Sequence, residues 1–316
     1  MLPADWYGGA LRALDGGYSG ETYVAESGPD RVVVRIYARN PERAAIDASL
    51  LRLVRGLVPV PDVLELRHPV AGNPAVLVTE YVAGTRLDSA LAAEPDWLDL
   101  ATVGRSLGTV LNTLAGIPFL RFAMFADRNL TSSTEQLPLD LREWAERLRD
   151  DGRLATWSVS DWEALTRLVD TAEDLLAEDA DLRPLRAVLT HSDMNPKNIL
   201  VDPATSQVCA LLDWEFAHAG SRYADLGNLC RFERDKRLVG PLLETLAGVA
   251  PGGAAQQLRL GRATDLWALV ELAGRPRPGP VPDLATELLQ AQARSGDLDA
   301  WPWPSPRVAP RGSLPG

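Results

Sequence analysis

The stretch "LTHSDMNPKNILV", Leu189 to Val201, places a histidine, an aspartate, a lysine and two asparagines between two apolar runs. Polar groups held between core segments need hydrogen-bond partners or water, because burying them unpaired costs free energy. The stretch is therefore either an elaborate turn or a functional site.

The composition of the 316-residue chain is that of a globular protein, with 46% hydrophobic and 24% charged residues. This length exceeds the usual size of a single hydrophobic core, so we expect two lobes or domains. The net charge of −11 argues against a nucleic-acid partner, which would require a basic face. An acidic surface can attract cationic ligands, or it can simply keep the protein soluble.

The N-terminus lacks a basic start followed by an apolar core, and no uncharged run is long enough to span a bilayer. We therefore expect a cytoplasmic protein with no membrane partner. Cys209 and Cys230 are the only cysteines, too few for a metal cage or a disulfide framework.

The first eighty or so residues read as a small β-rich unit with one helix. Alternating and β-branched runs at 20–26 and 31–38 predict a hairpin, and residues 40–57 have apolar spacing typical of a helix. Residues 58–66 and 74–82 predict two further strands, the first with prolines that suit the edge of a sheet.

After Gly84 the apolar residues recur three and four apart, which predicts a mainly helical remainder. The exception is Ala187–Glu215, where short apolar runs separated by turns predict strands within the helical part. The proline-rich C-terminus, Trp301–Gly316, predicts an extended or disordered tail. We expect an N-terminal lobe at 1–83 and a C-terminal lobe at 84–316.

Three side chains have the order that phosphoryl transfer requires. Asp193 and Asn198 are five residues apart, and Asp213 follows after one predicted hairpin. In a kinase-like site one carboxylate accepts the proton of the attacking hydroxyl, while an amide and a second carboxylate hold Mg²⁺. The D-x-x-x-x-N spacing alone occurs by chance in many loops, but the preceding histidine and the later D-W-E favour the kinase-like interpretation.

Four motifs carry a resemblance to a known family: "HSDMNPKNILVD" (191–202), "LLDWEFAHAGSRYADLGNL" (211–229), "LVTEYVAG" (77–84) and "GGYSGETY" (16–23). With the first two specific and the others weak, the sequence resembles the aminoglycoside phosphotransferase family over residues 14 to 235. The resemblance implies an α+β, bilobal protein-kinase-like fold, with a small β-rich N-lobe containing one main helix and a larger, mainly helical C-lobe. It also implies ATP or GTP as phosphate donor and Mg²⁺ as cofactor.

By that resemblance, Asp193 is the catalytic base, and Asn198 and Asp213 are the metal ligands. Asp225 is expected to be a buried anchor that hydrogen-bonds the backbone of the catalytic loop, which His191 packs against and braces.

Two other charged residues of the motifs have open roles. Lys197 could screen the transferred phosphate, or it could be an exposed turn lysine. Glu215 could assist a second metal ion or simply face solvent. His68 and His218 are interpreted as surface or packing residues.

The glycine-rich motif is expected to cover the nucleotide phosphates. Gly17 and Gly20 would allow close backbone approach and Ser19 would offer a donor, although a glycine-rich hairpin is usually only a hairpin. The backbone at Glu80 and Val82 is expected to bond the purine edge.

The following strand departs from the family pattern. Lysine occurs only at Lys197 and Lys236, so Arg35 fills the position of the phosphate-gripping lysine. The register of the predicted helix gives Asp47 as its partner, with Glu42 as a second candidate, while a solvent-facing Arg35 is the alternative. The departure raises the possibility of a non-catalytic member, yet the base and metal ligands are all present.

The acceptor is expected to be a hydroxyl of a small molecule, with a cationic antibiotic favoured by the resemblance. Acidic residues in the helical lobe could bind such a cation, or they could form solvated helix faces among arginines. Three tryptophans, Trp144, Trp157 and Trp162, could stack on the ligand or lie in the core. The acids are Glu143, Glu146, Asp150, Asp151, Asp161, Glu163, Glu173 and Asp174. A metabolite kinase and a non-catalytic binding module remain alternative functions.

Overall fold

The computed structural model describes residues 11–14, 21–27, 29–70, 72–134, 141–150, 154, 157–182, 186–247, 253–276 and 279–308. Within these ranges an antiparallel sheet with one helix forms an N-lobe, and a larger, mainly helical C-lobe follows it. The α+β bilobal fold predicted from the sequence is confirmed.

The N-lobe sheet has five strands in the order β1-β2-β3-β5-β4, all paired antiparallel. The predicted hairpin and both later strands are present, and the proline-preceded strand lies at the edge of the sheet as expected. The first strand was not predicted from the sequence. The elements are β1 (Leu11–Ala13), β2 (Glu21–Ser27), β3 (Asp30–Tyr37), α1 (Arg43–Val54), β4 (Val63–Arg67) and β5 (Ala75–Glu80).

The linker Tyr81–Gly84 leads into the C-lobe, whose helices surround two three-stranded sheets, β10-β9-β6 and β11-β8-β7. Its elements are β6 (Thr85–Arg86), α2 (Leu87–Ala93), α3 (Leu100–Ala115), β7 (Pro118–Phe119), α4 (Leu141–Asp150), α5 (Val159–Leu182), β8 (Ala187–Thr190), β9 (Ile199–Val201), β10 (Val208–Leu211), β11 (His218–Gly220), α6 (Ala224–Cys230), α7 (Lys236–Ala247), α8 (Gly253–Ala273) and α9 (Pro280–Ser295). Across the described ranges, no helix combines the length and apolar character needed to cross a bilayer.

Helix α1 shares one hydrophobic core with α3, β10 and the turn after β10 in the C-lobe. Leu50 and Val54 of α1 belong to the same buried cluster as Leu107 of α3, Leu211 of β10 and the following Trp214. Each fully buried leucine of this kind contributes about 2 kcal/mol through removal of apolar surface from water. The shared core therefore fixes α1 close to the strands that carry the site. A second core lies among α4, α5, α8 and α9.

Helices α6 and α8 cross at two glycines. A Cβ atom on Gly227 would collide with the backbone carbonyl of Gly261, so the close approach requires glycine at this position. The crossing fixes α6, which carries Asp225 in its first turn.

The C-terminal segment Trp301–Val308 is irregular, with bends at 303–306, and packs against the C-lobe. The backbone N–H of Arg234 donates to Pro306 at 2.6 Å, and that of Val308 donates to Phe232 at 3.1 Å. Arg307 donates to Glu233 at 2.5 Å and to the backbone carbonyl of Leu91, in α2, at 3.1 Å. The tail to residue 308 is therefore bent and packed instead of extended, because its turns are held by hydrogen bonds such as that from Trp301 Nε1 to Ser305 O at 2.7 Å. The remaining tail residues lie outside the described ranges.

Candidate active site

The predicted catalytic loop, residues 191–198, connects β8 to β9 and places Asp193 among polar side chains. The Nδ2 group of Asn198 donates to Asp193 Oδ2 at 2.7 Å and to its backbone carbonyl at 2.9 Å. Lys197 Nζ lies 3.3 Å from Asp193 Oδ2, and Asn195 donates to Asp193 Oδ1. A short 3₁₀ turn, Pro196–Asn198, brings these partners back onto the aspartate. Asp193 and Asn198 therefore lie in direct contact, and the contribution of Asn195 was missed from the sequence.

Asp225 anchors this loop through its backbone. Its buried carboxylate accepts the N–H of His191 at 2.9 Å and the N–H of Ser192 at 2.7 Å. Burial raises the carboxyl pKa of Asp225, and the nearby histidines and the two backbone donors oppose that rise. Ser192 has a left-handed backbone with φ of 63°, which costs about 1–3 kcal/mol for a residue other than glycine. The two hydrogen bonds help to hold that conformation immediately before Asp193.

His191 joins the loop to the end of β10. Its ring is fully buried and packs edge-on against Trp214, with ring centroids 4.7 Å apart. The backbone N–H of Asp193 donates to His191 Nδ1 at 3.3 Å, so Nε2 carries the proton that it donates to Leu212 O at 2.9 Å. The two ring nitrogens of His191 thus contact the backbone of Asp193 on one side and the backbone of Leu212, the residue before Asp213, on the other.

Asn198 and Asp213 lie on the two sides of the open end of the β9–β10 hairpin. The backbone N–H of Leu212 donates to Asn198 O at 2.8 Å, and Asp213 follows with a left-handed φ of 61°. Asn198 uses its amide nitrogen on Asp193, so its oxygen is the atom left for a metal. Asp213 accepts from Arg35 with Oδ1, which leaves Oδ2. Two such oxygens fit Mg²⁺, which takes one or two protein ligands and completes its shell with phosphate and water.

Within the described part of the chain, no group of three or more His, Cys, Asp or Glu side chains could hold a metal ion. The donor set is therefore too small for an all-protein cage. It suits an ion that arrives with a phosphate-bearing ligand.

Arg35 crosses the cleft from β3 to the D-W-E turn. Its guanidinium donates to Asp213 Oδ1 at 2.8 Å and to Glu215 Oε2 at 2.6 Å, and it lies 5.1 Å from the centre of the Tyr37 ring. The predicted pairing of Arg35 with Asp47 or Glu42 is wrong, and so is the solvent-facing alternative. Asp47 is occupied by nearer donors, and Arg35 points toward two acids of the other lobe.

Asp47 is buried in α1 and has two partners. Tyr37 Oη donates to Asp47 Oδ2 at 2.7 Å, and Arg43 Nε donates to Oδ1 at 2.6 Å. Arg43 also donates through Nη2 to the backbone carbonyl of Trp214 at 2.6 Å. The sequence prediction missed Tyr37 and Arg43, although Tyr37 follows Arg35 by two residues on one strand face and Arg43 precedes Asp47 by one helical turn.

The Arg35 guanidinium is hydrogen-bonded to two carboxylates in this cleft. The carboxyl pKa of Glu215 is raised by burial and by the neighbouring charge of Asp213, and Arg35 offsets only part of this rise. Burial also opposes the charge of Arg35, but Tyr37 in its ionised form, the Asp213 carboxylate with its hydrogen bond, and the Asp47 carboxylate outweigh burial and raise the guanidinium pKa. Arg35 stays cationic, and Glu215 is an inter-lobe ion-pair partner whose side chain is only 8% exposed.

The other predicted site residues are distributed as follows. Glu80 ends β5, where its backbone N–H donates to Asp62 O at 2.9 Å, and Val82 is half-buried in the linker to the C-lobe. Gly17, Ser19 and Gly20 lie outside the described residues. His218, interpreted as a packing residue, shares a hydrogen bond with Ser192 Oγ at 3.0 Å and so lies beside the catalytic loop.

The acidic helices of the C-lobe are partly paired with arginines. Asp161 accepts from Arg294 at 2.6 Å, and Asp170 is ion-paired with Arg142. Trp144, Trp157 and Trp162 pack against the second core, which supports the core interpretation for all three. The ring of Trp144 stacks on Trp267 at 5.0 Å. Asp151 lies outside the described residues.

The sequence of this chain is similar to that of a known phosphotransferase. An aminoglycoside 3'-phosphotransferase from Streptomyces fradiae is 28% identical over 233 residues, which cover 69% of this chain and 78% of that protein.

Two solved structures show the same fold at low sequence identity. One is a thermostable mutant of the aminoglycoside phosphotransferase APH(4)-Ia with ADP and hygromycin B, with a TM-score of 0.60, 15% identity and coverage of 91% of this chain and 92% of that one. The other is the GDP and kanamycin complex of APH(2")-IIia, with a TM-score of 0.61, 16% identity and coverage of 90% and 93%.

The family assignment rests on a match that spans most of the chain. The sequence model of the phosphotransferase enzyme family, APH, matches residues 10–259, which include the described N-lobe, the C-lobe as far as the start of α8, and every described residue of the loop, the hairpin and the D-W-E turn. The chain belongs to the APH phosphotransferase enzyme family.

Proposed function

We propose that the protein transfers the γ-phosphate of ATP or GTP to a hydroxyl group of a cationic antibiotic such as an aminoglycoside. The observation that carries the proposal is the convergence of Asp193, Asn198 and Asp213 at the open end of one hairpin. The similarity to an aminoglycoside 3'-phosphotransferase supports the acceptor class.

Each side chain of the loop has a chemical role in this proposal. Asp193 orients the acceptor hydroxyl and accepts its proton, and its contacts with Asn195 and Asn198 fix the carboxylate for that task. Lys197, 3.3 Å from that carboxylate, is placed to screen charge on the transferred phosphoryl group. His191 and Asp225 hold the loop backbone and take no part in proton transfer.

Asn198 and Asp213 would hold Mg²⁺, with the oxygens that their other hydrogen bonds leave available. When bound, the ion neutralises charge on the nucleotide phosphates. Arg35 replaces the usual lysine, because a guanidinium can bond a carboxylate and a phosphate oxygen through separate N–H groups. Gly17, Ser19 and Gly20 would cover the phosphates, Asp47 would support the cleft through α1, and the backbone at Glu80 and Val82 would bond the purine.

One observation favours a second candidate, a module that binds nucleotide without transferring phosphate. Arg35 already occupies one oxygen of Asp213, and a guanidinium there could replace the metal instead of assisting it. This function predicts nucleotide binding that is independent of Mg²⁺.

The test is incubation of the purified chain with Mg²⁺, ATP or GTP, and a panel of aminoglycosides and hydroxyl-bearing metabolites, read by mass spectrometry. We expect one or more aminoglycosides to gain one phosphoryl group. Asp193→Asn should slow this transfer by about 10³-fold while nucleotide still binds, because a general base contributes 10²–10⁴-fold. Modification of metabolites alone would replace the acceptor class, and nucleotide binding with no transfer to any acceptor would favour the second candidate.

A further inference from the structure

The side chain of Arg43, in the first turn of α1, links the N-lobe to the backbone of the D-W-E turn. It donates through Nε to Asp47 Oδ1 and through Nη2 to Trp214 O, each at 2.6 Å. Its side chain is only 12% exposed. Both bonds are charge-assisted and use two different nitrogens of the planar guanidinium, an arrangement that the single ammonium of lysine does not reproduce.

The first partner of Arg43 cannot move freely. Asp47 is 2% exposed, and its two oxygens are divided between Arg43 and the hydroxyl of Tyr37 in β3. If Arg43 swung away, the buried carboxylate would lose its charged donor, and leaving a buried charge short of a donor is unfavourable. Sheet, helix and guanidinium therefore form one rigid polar unit.

The second partner lies between the two acids that face the cleft. Trp214 separates Asp213 from Glu215, and Asp213 has the left-handed φ of 61°. Aspartate tolerates this conformation better than most residues but still adopts it only when its neighbours hold it. Trp214 O belongs to the peptide between Trp214 and Glu215, one residue past Asp213, and it also accepts the N–H of Ala217 at 3.0 Å. The charge-assisted bond from Arg43, at 2.6 Å, is the shorter of the two and restrains the orientation of this peptide, and with it the backbone that carries the Asp213 carboxylate.

The hydrogen bonds of Arg35 act on the side chains of Asp213 and Glu215, one oxygen of each. Arg43 contacts only the backbone of this turn and takes no oxygen of the Asp213 carboxylate. The Arg43 contact is compatible with an occupied metal site.

We propose that Arg43 is a positioning residue that holds the Trp214 carbonyl, and so keeps Asp213 in its metal-binding orientation and couples helix α1 to the metal site. This inference rests on the proposed function, since it takes Asp213 to be a Mg²⁺ ligand. Arg43 itself contacts neither metal nor nucleotide.

The test is a Mg²⁺ titration of the thermal shift that AMP-PNP produces in the purified full chain, which needs no acceptor. We expect Arg43→Ala to raise the Mg²⁺ concentration at half-maximal shift about tenfold, because a charge-assisted hydrogen bond is lost. The shift produced by AMP-PNP without Mg²⁺ should stay as in the unmodified chain. Arg55→Ala is the matched control, since Arg55 directly follows α1 and pairs with Asp62 at the surface.

Conservative variants keep the inference falsifiable if Arg43→Ala does not fold. Arg43→Lys retains the charge but can satisfy only one of the two partners, so we expect about a threefold rise in the Mg²⁺ midpoint. Equal midpoints for Arg43→Lys and Arg55→Lys would overturn the inference. If the unmodified chain binds AMP-PNP with no dependence on Mg²⁺, the proposed function fails and the inference fails with it. A Mg²⁺ dependence that Arg43 variants do not change overturns only the inference.

Discussion

The predicted catalytic loop and the cleft-facing side of the N-lobe sheet both hold polar side chains in fixed positions, but the partners of those side chains lie at different distances along the chain. Asp193 is held by Asn195, Lys197 and Asn198, all within five residues. Arg35 is held by acids 178 and 180 residues away. The loop geometry is therefore largely a local property, whereas the geometry around Arg35 depends on how the two lobes pack.

The largest effect on stability is expected from the anchor of the loop. Asp225→Ala should lower the free energy of unfolding by about 2–4 kcal/mol, because two backbone N–H groups at His191 and Ser192 lose a buried charged acceptor. Urea unfolding measures this change. Asp174→Ala removes an exposed acid of α5 and should stay within about 0.5 kcal/mol of the unmodified chain. Equal stability of the two variants would contradict the anchoring role of Asp225.

A smaller effect, on binding, is expected from the inter-lobe contact. Arg35→Ala should weaken the affinity for the Mg²⁺–nucleotide complex about tenfold, since a charge-assisted contact to phosphate is lost. Calorimetric titration measures this affinity. The control is Arg52→Ala, which removes an exposed arginine of α1. Tighter binding of the Mg²⁺ complex by Arg35→Ala would show the opposite, namely that the guanidinium competes with the metal for Asp213.

The smallest effect is expected from the ion pair between Asp161 of α5 and Arg294 of α9, which joins two distant segments of the C-lobe and does not cross the cleft. Hydrogen bonds from Arg294 and Ser158 lower the carboxyl pKa of Asp161 to about 2. Because the pKa of Asp161 is lower in the folded state, the pairing stabilises the protein at pH values above the unfolded-state pKa of 3.8. This stabilisation is lost as the pH falls toward 2. The difference in urea midpoint between the unmodified chain and Arg294→Ala should therefore shrink below about pH 4. A difference that stays constant to pH 3 would contradict this pairing.

The strands and the loop could be predicted because their signals are contiguous. Alternating β-branched runs and turn residues define β2 and β3, and the D-x-x-x-x-N spacing places Asn198 beside Asp193 through a single short turn. β11 escaped prediction because three residues, His218–Gly220, are too few to show a period.

The partners of Arg35 could not be predicted in the same way. Strand alternation gives the face on which Arg35 lies, but it does not say which acid of a distant segment stands opposite. Nor does helix register show that Asp47 is already satisfied by Tyr37 and Arg43. Which acid each of these arginines contacts depends on the shared core that packs α1 against β10 and the turn after it.

The packed tail has a consequence for work with this protein. Arg307 fastens the last described segment to the carbonyl of Leu91, in the first helix after the junction of the two lobes. Truncation before Trp301 would therefore remove a brace next to that junction, and not merely a dispensable end.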